Sequence, residues 1–405
     1  MITLPTLKAA AGRLPTARLT ALAPLALASC AYGESGDSAA NSSVGASEMA
    51  AEEMGAMEIT RRASFDTPWA IEFAPGTSIL FVSEKEGSMK FIDTAAASGS
   101  GRTGTVTGVP QVDFGGQGGF GDIAFLPSEA NAPLSGRTIY LSWAEAGEGD
   151  TRGAVVGRGQ LMCEAADACA IEGLDVVWRQ APKVTGRGHY SHRITFSPDE
   201  SHLYIASGDR QKLEPAQDRS NTLGTIVRLN LDGSPAPGNP FADASGVTQQ
   251  IWSYGHRNIL GIDWDAQGRL WEVEHGPAGG DELNLVRRGA NYGWPTRSYG
   301  DHYNGNPITD HSADDGFTKP ATYWTPVIAP GDMIFYRGDM FADWRGNALI
   351  TGLNTQAIVR VEIDGEDARE VARYEIDGRV RSIDEAPDGS IWVATDEGSL
   401  YQLTN

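Results

Sequence analysis

Residues 273–295 read VEHGPAGGDELNLVRRGANYGWP, with Asp281 beside Glu282 just after a turn at Gly276 and Pro277. Neighbouring carboxylates and main-chain carbonyls are oxygen donors, the set that a hard cation such as Ca2+ takes. A transition metal would ask for imidazole or thiolate, and His275 alone does not supply that. The other candidates are scattered along the chain. His189, in GRGHYSHRITF, precedes an apolar stretch and is a candidate proton acceptor near neutral pH. Asp209 ends the next stretch, YIASGD, where a carboxylate could orient an imidazole or cap a turn. His256, Arg257 and Asn258 gather donors that suit an oxygen gaining negative charge. Arg379 and Arg381 alternate in GRVRSID, so in a strand both point one way and match an anion such as a dicarboxylate. Gln117 stands in GGQGGFGD, whose glycines let backbone approach a ligand closely. Each also has a plainer reading: a surface histidine, a turn cap, a hydrogen-bonded corner, arginines paired with nearby acids, a flexible turn.

Positioning such scattered residues requires a scaffold that returns the chain repeatedly to one place. The 405 residues, 40% hydrophobic and 21% charged, suffice for a large core. With 49 glycines, 21 prolines and no long apolar run of helical period, the chain reads as short strands joined by turns. One pattern recurs about six times: an apolar stretch, a Pro-containing or Gly-containing turn, then a second apolar stretch. Examples are PWAIEFAPGTSILFVSE from Pro68, RITFSPDESHLYIASGD from Arg193 and VRSIDEAPDGSIWVATDE from Val380. Repeats of this length predict an all-β, six-bladed β-propeller of four-stranded antiparallel sheets, with little helix. Residues 146–190 and 210–223 are expected as insertions near the channel mouth. The last strand, near 400, is expected to pair with EITRRASF and hide both edges.

Acidic side chains outnumber basic ones 53 to 32, giving a formal net charge of −21, which excludes nucleic acid as a natural partner. Residues 1–29 place Lys8, Arg13 and Arg18 before LTALAPLALAS, an export signal too short to span a bilayer. The following LASC resembles a bacterial lipobox, which predicts lipidation at Cys30 and a periplasmic protein held to a membrane only by its lipid. Residues 30–57 are small and acidic and read as a disordered tether, with the folded domain at 58–405. In an oxidising compartment Cys163 and Cys169 are expected to form a disulfide.

Taken together, PWAIEF, GGQGGFGDIAF, HYSHRITFSPD, AQDRSNTLGTIVRLNLDGS, IWSYGHRN, EHGPAGGDELNLVRRGANYGWP, IAPGDMIFY and GRVRSI resemble, in order, the soluble aldose sugar dehydrogenases of the glucose/sorbosone dehydrogenase family. These are six-bladed propellers that use pyrroloquinoline quinone (PQQ). The resemblance implies His189 as general base, Asp209 as its orienting carboxylate, and Arg257 with Asn258 on the quinone. It implies Gln117 facing sugar or cofactor, Arg379 and Arg381 on cofactor carboxylates, and Ca2+ on the carbonyls of Gly276 and Pro277. Asp281, Glu282 and the Tyr292 carbonyl would hold a further, structural calcium. Two positions depart from the pattern. Asn354 stands where the family has a cofactor-contacting lysine, and His192 stands where it has glycine, adding bulk expected to narrow the sugar site. The implied partners are a small sugar and an electron acceptor. A calcium-dependent lactonase-like hydrolase and a non-catalytic, lipid-anchored binding propeller are the competing functions.

Overall fold

The computed structural model describes residues 57–95 and 103–405. The signal segment, Cys30 and the expected tether up to residue 56 lie outside the described residues. Among those described, the only helical pieces are four short 3-10 turns, at Pro127–Asn131, Glu214–Gln217, Gly246–Gln250 and Ala342–Trp344. The strands form four four-stranded sheets and one of eight. The larger sheet is two four-stranded runs joined where Thr103–Thr107 pairs in parallel with Ala168–Arg179.

Each run has an innermost strand: Pro68–Phe73, Phe120–Phe125, Ser191–Phe196, Ile259–Trp264, Pro330–Phe335 and Val380–Glu385. These six touch one another in chain order, and the last touches the first. The turns after three of the inner strands follow from their sequence. In SPDES, Asp199 Oδ1 accepts Ser201 N at 3.1 Å; in APDGS, Asp388 Oδ1 accepts Ser390 N at 2.9 Å; in DAQGR, Asp265 Oδ1 accepts Gln267 N at 2.9 Å. Such aspartates satisfy a main-chain donor two residues on and fix the reversal. A second set of carboxylates stitches one run to the next. Asp122 Oδ2 accepts Ile194 N at 2.7 Å, Asp263 Oδ2 accepts Phe335 N at 2.7 Å, and Asp384 Oδ2 accepts Phe73 N at 2.6 Å.

The hydrophobic core follows the same circle. Its major clusters each draw on two consecutive runs; one joins Tyr336, Trp344 and Tyr374 to Val380 and Ile391, and another joins Trp392 and Leu400 to Phe73 and Leu80. The last of these seals the first run against the last. There Glu58–Ser64 pairs antiparallel with Ser399–Thr404, as the sequence predicts, which covers the edge of the last strand and makes Glu58–Ser64 the outer strand of that run. One expectation needs correction. Residues 146–190 are not an insertion: most of them form the hairpin Arg152–Ala165 and Ala168–Arg179, which belongs to the eight-stranded sheet. Its tip is closed by the expected Cys163–Cys169 disulfide.

Candidate active site

In an antiparallel run, the start of the first strand and the end of the second lie at the same end of the sheet. That rule gathers the candidates. Gln117, His189, Arg257, Asn258 and Arg379 precede inner strands, whereas Asp209, Gly276 and Asn354 follow second strands, with Arg381 just inside its strand.

His189 is buried, and its Nδ1 lies 2.7 Å from Asp209 Oδ1. The same oxygen accepts Gln211 N at 2.8 Å, while Asp209 Oδ2 accepts Trp294 Nε1 at 2.8 Å. Burial would raise the Asp209 carboxyl, but hydrogen bonds from His189, Gln211 and Trp294 hold it below the usual carboxylate range. Burial pushes the His189 imidazole down, and Arg257 and Arg210 add to this against the upward pull of Asp209. The pair therefore stands as neutral imidazole and ionised carboxylate, with the ring proton on Nδ1 and the lone pair on Nε2. The backbone here is held in an unusual form. His189, Ser191, His192, Arg210 and Gln211 all have φ between 48° and 59°, a region that costs a non-glycine residue about 1–3 kcal/mol. His189 N donates to Gln117 Oε1 at 2.6 Å, which ties the exposed Gln117 loop to the base.

Arg257 is 4% exposed. Its Nη1 donates to His275 O at 3.0 Å and its Nη2 to Tyr303 Oη at 3.2 Å, yet its buried Nε has no partner. The buried Asn258 accepts Ser191 Oγ at 3.3 Å. Arg379 and Arg381 do share a direction, since both reach Asp396: Arg379 Nε at 3.2 Å and Arg381 Nε at 2.8 Å. Asn354 is exposed and donates to Val327 O at 3.3 Å.

Asp281 and Glu282 do not act as a pair. They open the strand Asp281–Leu285, and successive side chains of a strand point to opposite faces. Asp281 accepts Gly276 N at 2.9 Å and Ala329 N at 2.7 Å, and with Gly276 and Pro277 it lines an open cavity of about 440 Å3 beside Tyr303. Gly276 is required there, because a Cβ would meet the carbonyl oxygens of Gly279 and Gly280 at 2.2 Å. Glu282 and Tyr292 instead line a small cavity of about 10 Å3 with Glu274, room for one water-sized or ion-sized occupant. The sequence-based grouping of both carboxylates on one cation is corrected accordingly. His192 also departs from expectation. Its ring stacks on Trp69 at 4.8 Å, its Nδ1 lies 2.7 Å from Ser142 Oγ, and burial pushes it down to about 3. It is a neutral core residue packed between runs, and it does not narrow the mouth.

His256 turns inward as well, its Nδ1 lying 3.4 Å from both Glu272 and Glu274. Sequence reasoning missed Trp294, Glu274, Tyr303 and Asp396. Trp294 was within sight in NYGWP, but only the fold carries its indole to Asp209, 85 positions away in the chain.

A family model described as Glucose / Sorbosone dehydrogenase matches residues 65–402. An aldose sugar dehydrogenase of Escherichia coli, YliI, is 33% identical over 339 residues, covering 82% of this chain and 88% of the relative. The crystal structure of the soluble aldose sugar dehydrogenase from Escherichia coli, in its apo form, superposes with a TM-score of 0.78 at 32% identity, covering 86% of this chain and 99% of that one. The PQQ-bound aldose sugar dehydrogenase of Streptomyces coelicolor gives 0.68 at 26% identity, with 86% and 98% covered.

Proposed function

The chain belongs to the glucose/sorbosone dehydrogenase family, and from that premise we propose that it oxidises aldose sugars at C1 to lactones, using PQQ and Ca2+. The circle of six runs is read as a six-bladed propeller with the site at its mouth. The observation that carries the reading is the neutral His189 and ionised Asp209 standing beside Arg257, whose buried Nε lacks a partner.

The residues present fit both groups. Arg257 offers an unused donor to an electron-rich oxygen, and among the described residues the side chains of Arg379 and Arg381 share one carboxylate, Asp396. Among the described residues the carbonyls of Gly276 and Pro277 accept no hydrogen bond, which suits a hard cation. When bound, the quinone would supply the hydride acceptor and Ca2+ its polarisation. The chain's own part is proton transfer and charge. His189 Nε2 takes the proton of the sugar C1 hydroxyl, and Asp209 stabilises the imidazolium that results. Trp294 and Gln211 fix Asp209, and the Gln117 loop holds the main chain of His189. Arg257 and Asn258 face the charge that develops on oxygen. Loss of that proton and of the C1 hydride leaves the lactone. A structural Ca2+ is assigned to Glu282 and the Tyr292 carbonyl, now with Glu274, while Asp281 braces the Gly276–Pro277 turn. The protein is further proposed to be exported to a bacterial periplasm, lipidated at Cys30, and to pass electrons to a separate acceptor.

Reconstitution tests this. Protein loaded with PQQ and Ca2+ should reduce an electron-accepting dye with one or more aldoses, and bound quinone with no reduction by any sugar would sink the reading. Lactone hydrolysis without added quinone would favour the hydrolase, for which the two arginines serve no purpose on a neutral substrate.

A further inference from the structure

We propose that Lys85 is a further cofactor-binding cation in this chain, compensating for the positive charge absent at Asn354; the assignment rests on the quinone reading above. Lys85 directly follows the strand Ile79–Glu84 and so emerges at the same end of the circle as Arg379 and Arg381. Strand alternation turns Glu84 the other way, where it accepts Lys90 Nζ at 2.8 Å and Asp66 N at 2.7 Å. Lys85 therefore keeps a half-buried ammonium with no ion pair among the described residues; its Nζ donates to Gly116 O at 3.3 Å. Gly116 precedes Gln117, whose side chain takes the His189 N–H, so the ammonium stands against the loop that holds the base.

Its other neighbours are the arginines' own. Burial lowers the Lys85 pKa first, Arg381 lowers it further, and Asp396 opposes both. Asp396 is already occupied by the two guanidiniums and Glu397 Oε2 accepts Arg379 N at 2.9 Å, so with Lys85, which also feels Asp396, three cations face two carboxylates. In a chain of formal net charge −21, a local excess of positive charge left unpaired marks a place for an anion. Arg379 Nη1 donates to Leu353 O at 3.3 Å, next to Asn354 of the fifth run, whereas Lys85 belongs to the first run, which touches the arginines' strand from the other side. A polycarboxylate held between the arginines would meet Lys85 on the side opposite the missing lysine charge.

Quenching of tryptophan fluorescence by PQQ, titrated into the Ca2+-loaded full-length chain, gives a Kd without turnover. Lys85→Gln should weaken binding about tenfold or more, the loss of one charge-assisted contact. Lys85→Arg should stay within about threefold of wild type, and adding Asn354→Lys to Lys85→Gln should recover most of the loss. Unfolding midpoints equal to wild type would keep the comparison one of binding. Wild-type binding with Lys85→Gln unchanged would overturn this assignment alone, and failure of Asn354→Lys to recover affinity would overturn the compensation. No binding by wild type would overturn the cofactor reading and this inference with it.

Discussion

In the proposed reaction His189 would act through one lone pair, and that lone pair depends on its neighbours. Asp209 cannot donate while ionised, so it holds the ring proton on Nδ1, and Trp294 keeps Asp209 from turning away. Replacing His189 by Gln should lower kcat about 100- to 10,000-fold, the usual worth of a positioned base, and leave the Kd for PQQ nearly unchanged. The sign of the pH dependence follows from burial. Because the folded imidazole titrates below its ordinary value of 6.5, kcat/KM should fall only as pH drops through a midpoint under 6.5, and stay level above it. An acid limb centred above 7 would refute the assignment. At this scale the sequence supplied His189, Asp209, Arg257 and the arginine pair, because each is a residue type whose chemistry is scarce. It misassigned Asp281 and His192, because a side chain's direction depends on strand phase and on what fills the space behind it.

Strand phase is a property of the element, and so is the stitching that holds the circle together. An inner-strand amide cannot be satisfied wholly within its own sheet, since Phe73 N turns to Asp384 of the last run and Phe335 N to Asp263 of the fourth. Asp384→Ala should cost about 1–3 kcal/mol in urea unfolding, the penalty for stranding a buried donor. Asp384→Asn keeps an acceptor oxygen and should cost clearly less. Equal losses for the two would mean that the carboxylate's charge, rather than its acceptor, matters. The turns at Asp199, Asp265 and Asp388 were legible because Pro, Asp and Gly name their own geometry. The parallel pairing of Thr103–Thr107 with Ala168–Arg179 was not legible, because it joins segments of two different runs and leaves no local signature.

Across the whole molecule, the circle explains why eight short motifs spread over more than 300 residues act together. Closure between Glu58–Ser64 and Ser399–Thr404 brings the first run, which carries Lys85, against the last, which carries the arginine pair. The proposed lipid at Cys30, which lies outside the described residues, bears on where the whole molecule resides rather than on its site. Cys30→Ala should move the protein from the membrane fraction to the soluble fraction and leave sugar-dependent dye reduction intact. Continued sedimentation with membranes would count against lipidation. Composition, repeat length and turn chemistry by themselves determined an all-β chain of recurring hairpins, and the scarce residue types determined where to look for a base and for cationic partners. Only the tertiary structure decided which carboxylate faces which cavity, that Trp294 braces Asp209, and that the run carrying Lys85 lies against the run carrying the arginines. Those facts depend on strand phase and ring closure, which are fixed by packing between runs far apart in the chain.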